Sequence, residues 1–69
     1  MPDIKMTIAM VCAYLKLSTH DLAKEAGINE LHLDAVRAGR ARMTADDLIG
    51  ICDASGLDMH RIETDPSKQ

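Results

Sequence analysis

An all-helical domain is the fold class that the sequence predicts, and three observations support it. Apolar residues recur three and four positions apart in successive short runs, as they do on one face of a helix. N-cap residues and glycines separate these runs, and no alternating strand pattern competes with them. The chain has one tyrosine and no phenylalanine or tryptophan, so its core must consist of aliphatic side chains and methionine. Such a mixture suits helices better than sheets.

The first predicted helix has apolar residues on nearly all of its faces. Its inner face, defined by spacings of four, three and four, consists of Ile4, Ile8, Val11 and Leu15. A surface helix usually has a polar side, but the remaining faces here carry Met6, Ala9, Met10, Ala13 and Tyr14. Methionines can fill gaps in a core without large aromatics, so these residues are predicted to be either core or an interface.

The second predicted helix begins after Ser18, a natural N-cap residue, with Asp21 as an imperfect capping-box partner. Its inner face consists of Leu22, Ala23 and Ala26. Gly27 tolerates positive φ and is expected to end this helix at little cost. The next apolar run follows at once, so the connection is predicted to be a tight turn.

Asn29 is the predicted N-cap of a third helix, which Gly39 ends. Leu33 and Val36 lie three positions apart and are predicted to point inward. The outer face of this helix is then formed by Glu30, Leu31, Asp34 and Ala35. Arg37 falls in the last turn, where the helix dipole favours a cation.

After a loop at residues 40–43, Thr44 and Asp47 form a capping signal for a fourth helix, which Gly56 ends. The inner stripe of this helix consists of Leu48, Ile51 and Cys52.

Asp58 is expected to cap a short fifth helix that contains Met59 and Ile62. Residues 1–63 are therefore predicted to form one domain, since the length sets a prior of a single unit. Residues 64–69 are polar and contain a proline, and they are expected to form a flexible C-terminal tail.

The charge balance argues mildly against a protein that binds nucleic acid through overall attraction. The formal net charge is −3, from 8 Lys and Arg against 11 Asp and Glu. Proteins that bind nucleic acid mainly through phosphates usually carry a basic surplus. Any basic surface must therefore be local, and the densest basic cluster is Arg37 with Arg40 and Arg42.

An ordered set of residues resembles the Cro/phage-repressor (XRE-like) helix-turn-helix family without gaps. The matching residues are Leu17, Ser18, Leu22, Ala23, Gly27, Ile28, Asn29, Leu33, Val36, Gly39, Leu48, Ile51 and Gly56. This resemblance implies a compact five-helix domain of the lambda-repressor type. It also implies that the third helix lies in the major groove of DNA, while the second helix directs its N-terminus at a phosphate.

The resemblance implies a small, sequence-specific, DNA-binding transcriptional regulator. The candidate DNA-contacting residues are Ser18, Thr19, Asn29, Glu30, Leu31, His32, Ala35, Arg37, Arg40 and Arg42. Glu30 could accept a hydrogen bond from cytosine N4, and Leu31 or Ala35 could touch a thymine methyl group. The three arginines are expected to contact phosphates.

Double-stranded DNA is the expected partner, and a homodimer is expected because a single small domain makes few phosphate contacts. Two surfaces are candidates for the dimer interface. One is the outer face of the first helix, with Met6, Met10, Ala13 and Tyr14, and the other is the last helix, with Met59 and Ile62, which the family resemblance slightly favours.

Several positions depart from the family pattern. Thr19 stands where a glutamine often holds a phosphate, and His32 is as consistent with a bond to a protein neighbour as with a DNA contact. Many members pair an arginine of the first helix with a glutamate late in the third, but the matching residues here are Cys12 and Arg37. Because both partners of that pair differ here, no buried charge is left unpaired. Arg37 is then expected to reach outward.

The acidic outer face of the third helix leaves a second hypothesis open. Glu30 and Asp34 lie one turn apart, and carboxylates near phosphates are repulsive. The chain could therefore be a helix-turn-helix domain that binds a basic protein partner instead of DNA.

No pattern for enzymatic chemistry, a metal, a cofactor or a small-molecule ligand is found in the sequence. Cys12 and Cys52 lie in apolar runs and are predicted to be buried free thiols, and the histidines lack ligand spacing. The opening MPDIKM lacks the features of a signal peptide, and no apolar stretch is long enough to span a membrane. A cytoplasmic protein is expected.

Overall fold

The computed structural model describes residues 4–69, in which four α-helices are followed by two short 3₁₀ turns. The helices are α1 (Ile8–Leu15), α2 (Thr19–Ala26), α3 (Glu30–Arg37) and α4 (Ala45–Ser55), and the 3₁₀ turns are Met59–Arg61 and Pro66–Lys68. Within residues 4–69 the only strand-like feature is one isolated bridge between Met6 and Ile62. The predicted all-helical class is confirmed, but the predicted fifth helix is only a single 3₁₀ turn.

Helix α1 starts later than the apolar spacing predicts. Thr7 is its N-cap, and the Thr7 hydroxyl accepts a hydrogen bond from the backbone N–H of Met10 at 3.2 Å. Ile4 therefore lies outside the helix and is 73% exposed, whereas Ile8 and Val11 are fully buried. The prediction that Ile4 points inward is wrong, because its spacing from Ile8 matches a helix that the chain begins only after Thr7.

The N-caps of the other three helices are those that the sequence predicts. The Ser18 hydroxyl accepts from the N–H of Asp21 at 3.1 Å, and Asn29 Oδ1 accepts from two N–H groups in the first turn of α3. Thr44 and Asp47 form a complete capping box at the start of α4. Local side-chain acceptors thus set where each helix begins.

The turn between α2 and α3 depends on Gly27, which has a φ of 70° and is the left-handed C-cap of α2. The N–H of the next residue, Ile28, donates to the carbonyl of Ala23 at 2.9 Å, which completes the turn. This tight connection brings the start of α3 close to the start of α2, where the candidate site lies.

The core collects residues from every helix and from the segments between them. It consists of Ile8, Val11, Cys12, Leu22, Ala23, Leu33, Val36, Met43, Ile51 and Ile62. Met43 is buried although it lies in the predicted loop. Ile62 is also fully buried, because its bridge to Met6 holds it against the core. Ile62 is therefore not available as part of a dimer interface.

Residues 64–69, predicted as a tail, lie against the helices in the structure. Asp65 caps the second 3₁₀ turn by accepting from the N–H of Ser67 at 2.9 Å. Gln69 Oε1 accepts from the N–H of Ile8 at 2.9 Å. The first N–H groups of a helix lack helical partners, so the Gln69 side chain satisfies one of these donors in α1.

No helix within residues 4–69 has the length and apolar character that crossing a lipid bilayer requires.

Candidate nucleic-acid interface

Helix α3 displays one row of side chains and buries the opposite one. Leu33 and Val36 are buried at 0% and 1% exposure, whereas Leu31 is 79% exposed. Glu30 and Asp34 are also exposed, and Ala35 is half-buried. The predicted inward and outward sides of α3 are therefore confirmed, except that Ala35 lies at the edge of the outer face. Leu31 lies beside exposed carboxylates and does not contribute to the core of this chain.

Arg37 links the end of α3 to the start of α2. Its Nη1 atom donates a hydrogen bond to the hydroxyl of Thr19, the first residue of α2. The backbone N–H groups and the dipole at a helix N-terminus favour an anion, and the guanidinium adds a full positive charge there. Two residues that the family resemblance implies separately as phosphate contacts thus lie side by side. Arg37 is exposed as predicted, but it is held by Thr19 rather than free.

Arg40 and Arg42 lie exposed in the arginine loop, residues 38–44, which connects α3 to α4. Gly39, with a φ of 80°, turns the chain, and the N–H groups of Arg40 and Ala41 both donate to the carbonyl of Ala35, at 2.8 Å and 3.3 Å. These bonds hold the loop against the C-terminal end of α3. The negative end of the helix dipole favours cations at this place.

The loop also meets the C-terminal segment. A Cβ atom on Gly39 would lie 2.8 Å from the carbonyl oxygen of Pro66, so only glycine fits there. Hydrogen bonds from the backbone and hydroxyl of Ser67 lower the pKa of Asp65, with smaller contributions from the charges of Lys68 and then Arg42. Asp65 is therefore ionised at neutral pH and lies near this edge of the arginine loop.

Glu30 makes a side-chain contact that the sequence gives no means of finding. Its Oε2 atom lies 2.8 Å from Nδ1 of His20, the second residue of α2. The two side chains are 50% and 57% exposed. His20 carries no recognisable signal in the sequence, because its partner comes from another helix across the turn at Gly27.

His32 lies on the side of α3 that faces α4. Its Nε2 atom is 2.6 Å from Oδ2 of Asp47, and the side chains are 34% and 11% exposed. The structure thus places His32 in a bond to a protein neighbour and not in the outward row of α3.

The environment of Asp47 favours its charged form. Burial alone would raise the pKa of Asp47, but hydrogen bonds from the Thr44 backbone, from His32 and from the Thr44 side chain outweigh burial. The pKa of Asp47 is therefore lowered. A carboxylate joined to both Thr44 and His32 connects the first turns of α3 and α4.

Ser18 and Asn29 use their side-chain oxygens as helix caps. These two candidate residues therefore fix the starts of α2 and α3 relative to the preceding backbone.

The cysteines are free thiols without features that activate a nucleophile. Cys12 is buried as predicted, while Cys52 is only half-buried. Burial raises the pKa of the Cys52 thiol, and the nearby charges of Asp58 and Asp53 raise it further. A reactive cysteine has a lowered pKa instead. Within residues 4–69, no group of three or more histidine, cysteine or acidic residues is placed to hold a metal ion.

The comparison with protein families identifies a match for most of the chain. The model of the Cro/C1-type HTH DNA-binding domain matches residues 7–62. The comparisons with curated proteins and with solved structures gave no match. The matched segment runs from Thr7, the N-cap of α1, to Ile62, the last core residue, and so includes all four helices. The chain therefore belongs to the Cro/C1-type helix-turn-helix DNA-binding domain family.

Proposed function

We propose that this protein is a sequence-specific, DNA-binding transcriptional regulator that places α3 in the major groove. Its family supports DNA binding in general. The observation that carries the finer proposal is the bond between Arg37 and Thr19, which fixes a cation at the start of α2 beside the exposed row of α3. In this arrangement, one phosphate binds at the start of α2 while α3 faces the bases.

The phosphate contacts are assigned to the local basic surface. Arg37 and Thr19 contact the phosphate at the start of α2. Arg40 and Arg42 contact the DNA backbone beyond the end of α3. This distribution explains how a chain with a net charge of −3 can bind DNA, because the field at one face depends on where the charges lie. Phosphate contacts fix orientation and register without reading sequence.

The base contacts are assigned to the exposed row of α3. Glu30 can accept hydrogen bonds from exocyclic amines, and Leu31 with Ala35 can contact thymine methyl groups. This row contains no arginine that could form a bidentate contact with guanine. Ser18 and Asn29 hold the two helix starts in place through their caps.

We also propose that the protein acts as a homodimer. Two domains on a two-fold symmetric site double the number of phosphate contacts that one small domain can make. Since Ile62 is buried, the interface is assigned to the outer face of α1, where Met10 and Tyr14 are 48% and 59% exposed.

The test of DNA binding is the salt dependence of affinity for duplex DNA. Replacing Arg40 and Arg42 together by alanine should weaken binding to all duplexes to a similar degree. It should also reduce the slope of log affinity against log salt concentration by about two, because each lost phosphate contact removes about one. Fluorescence anisotropy with a labelled duplex, starting at low salt, measures both quantities.

The matched control removes the same charge elsewhere. Lys5 and Arg61 are exposed and lie outside α2, α3 and the arginine loop. Replacing both by alanine should leave the salt slope close to that of the unmodified protein. If the unmodified protein binds no duplex at low salt, the DNA-binding proposal fails, and a basic protein partner for Glu30 and Asp34 becomes the better explanation.

A further inference from the structure

We infer that Glu30 selects cytosine at one base pair of the binding site and that His20 positions its carboxylate for this purpose. The inference rests on the proposed function, because the proposed function assigns the base contacts to the exposed row of α3. The observation behind it is the contact between Glu30 and His20, which joins the first turns of α3 and α2.

The contact restricts the Glu30 side chain before any ligand binds, while both side chains stay at least half exposed. Oε2 of Glu30 lies 2.8 Å from Nδ1 of His20, which leaves Oε1 without a protein donor within residues 4–69. The caps Ser18 and Asn29 fix the two helix starts from which these side chains extend. A side chain that is already ordered loses less conformational entropy on binding. The free oxygen is thus presented as a preorganised acceptor.

Asp34 provides a contrast on the same face of α3. It is exposed one turn after Glu30, but it has no ion-pair partner within residues 4–69. An unpaired, exposed carboxylate is an ordinary solvated charge. Glu30 differs because the imidazole of His20 lies against it, with Nδ1 at 2.8 Å from Oε2.

The chemistry of the major groove determines which base suits this acceptor. An ionised carboxylate can only accept hydrogen bonds. Guanine presents acceptors at N7 and O6, and thymine presents the acceptor O4, so both repel it. Adenine offers an amine but places the acceptor N7 beside it, whereas cytosine offers its N4 amine alone. Cytosine is therefore the base that fits Glu30 best.

The test is a binding-site selection from random duplexes with the unmodified protein and with Glu30→Gln. The unmodified protein should prefer cytosine over guanine about tenfold at one position, since a good base contact discriminates by a factor of this order. Glu30→Gln should shift that position towards adenine, because an amide can both accept from N6 and donate to N7. Glu25→Ala, which removes an exposed carboxylate from α2, is the control and should leave every position unchanged.

The role of His20 is tested by a double-mutant cycle. His20→Ala should reduce the preference at the same position, and it should have no further effect when Glu30 is already alanine, because His20 acts only through Glu30. A residue that merely stabilises the fold would weaken binding to all sequences equally. If His20→Ala changes the base preference equally in the unmodified protein and in Glu30→Ala, His20 does not act through Glu30.

The outcomes separate this inference from the proposed function. If the protein binds duplex DNA with a strong salt dependence but Glu30→Gln leaves every base preference unchanged, the inference is overturned and the proposed function stands. A preference for guanine or thymine at the position that Glu30→Gln alters would also overturn it. If the unmodified protein binds no duplex, both fail together.

Discussion

At the scale of single residues, the side chain of Asp47 connects α4 to α3. Its Oδ2 atom accepts from the backbone N–H of Thr44 at 3.0 Å and lies 2.6 Å from Nε2 of His32. The backbone N–H of Asp47 donates to the Thr44 hydroxyl at 3.1 Å. One carboxylate thus closes the cap of α4 and ties it to the first turn of α3, the helix proposed to enter the groove.

Replacing Asp47 by alanine is expected to reduce the free energy of unfolding at neutral pH by about 2 kcal/mol. This figure combines a lost N-cap contact with lost hydrogen bonds to a charged group. The pKa of Asp47 is lowered in the folded protein, so its contribution is present above the unfolded pKa of about 3.9 and is lost as the pH falls through the folded pKa. The difference in the free energy of unfolding between the unmodified protein and Asp47→Ala should therefore narrow below about pH 4. Urea unfolding followed by circular dichroism measures this difference at each pH.

Asp46→Ala is the matched control for this experiment. Asp46 is exposed in the same turn of α4, and its carboxylate interacts mainly with the helix dipole. Its removal should cost less than about 1 kcal/mol. If both variants lose the same free energy of unfolding, the bonds to Thr44 and His32 contribute little. The same follows if the destabilisation by Asp47→Ala persists in acid.

Residues within one turn of each other could be predicted from the sequence, and partners from different helices could not. The pairing of Thr44 with Asp47 follows from a local capping pattern. The bond between His32 and Asp47 and the bond that Arg37 donates to Thr19 depend on how the helices pack, for which the sequence carries no local signal. Thr19 and Arg37 are therefore predicted as separate phosphate contacts, and their joining is visible only in the structure.

At the scale of elements, the packing of α2 against α4 depends on Gly50. A Cβ atom at this position would overlap the backbone carbonyl oxygen of Ala26 at the end of α2. Backbone atoms cannot move aside as the end of a flexible side chain can. Gly50 is therefore a point of close approach between the two helices, although the sequence pattern gives this glycine no role.

Gly50→Ala is expected to destabilise the fold more than Gly27→Ala. Separating packed helices costs about 1–3 kcal/mol, which more than offsets the gain of up to about 1 kcal/mol in helix propensity. At Gly27 a Cβ atom meets nothing within 4 Å, and only the left-handed φ of 70° opposes substitution, at a cost of about 1 kcal/mol. Thermal unfolding of both variants measures the difference. A higher melting temperature for Gly50→Ala than for Gly27→Ala would contradict the close approach of α2 and α4.

The boundaries of the elements show which signals are reliable. The starts of α2, α3 and α4 are predicted because their caps and first apolar residues agree. The start of α1 is missed because Ile4 continues the apolar spacing of the helix although Thr7 caps it. A fifth helix is predicted where the structure has a single 3₁₀ turn, because Ile62 pairs with Met6, a contact distant in sequence that no local pattern encodes.

At the scale of the whole molecule, two exposed apolar surfaces compete for the proposed dimer interface. Helix α1 contains no charged residue, and Met10, Ala13 and Tyr14 are all exposed on it. Met59 is 50% exposed on the other candidate surface, but its neighbours His60 and Arg61 are exposed and polar. Because the core of an interface is depleted in charge, the α1 surface is the better candidate.

Tyr14→Lys is therefore expected to convert the dimer to a monomer without unfolding the protein. Tyr14 is 59% exposed, and a lysine in the last turn of α1 is favoured by the helix dipole, so the melting temperature at low protein concentration should hardly change. Met59→Lys adds the same charge on the other surface and should leave the dimer intact. Sedimentation velocity over a range of concentrations measures the association state of each protein. If Met59→Lys alone gives a monomer, the interface lies on the Met59 surface. If the unmodified protein is a monomer at every concentration, the domain acts without a second copy.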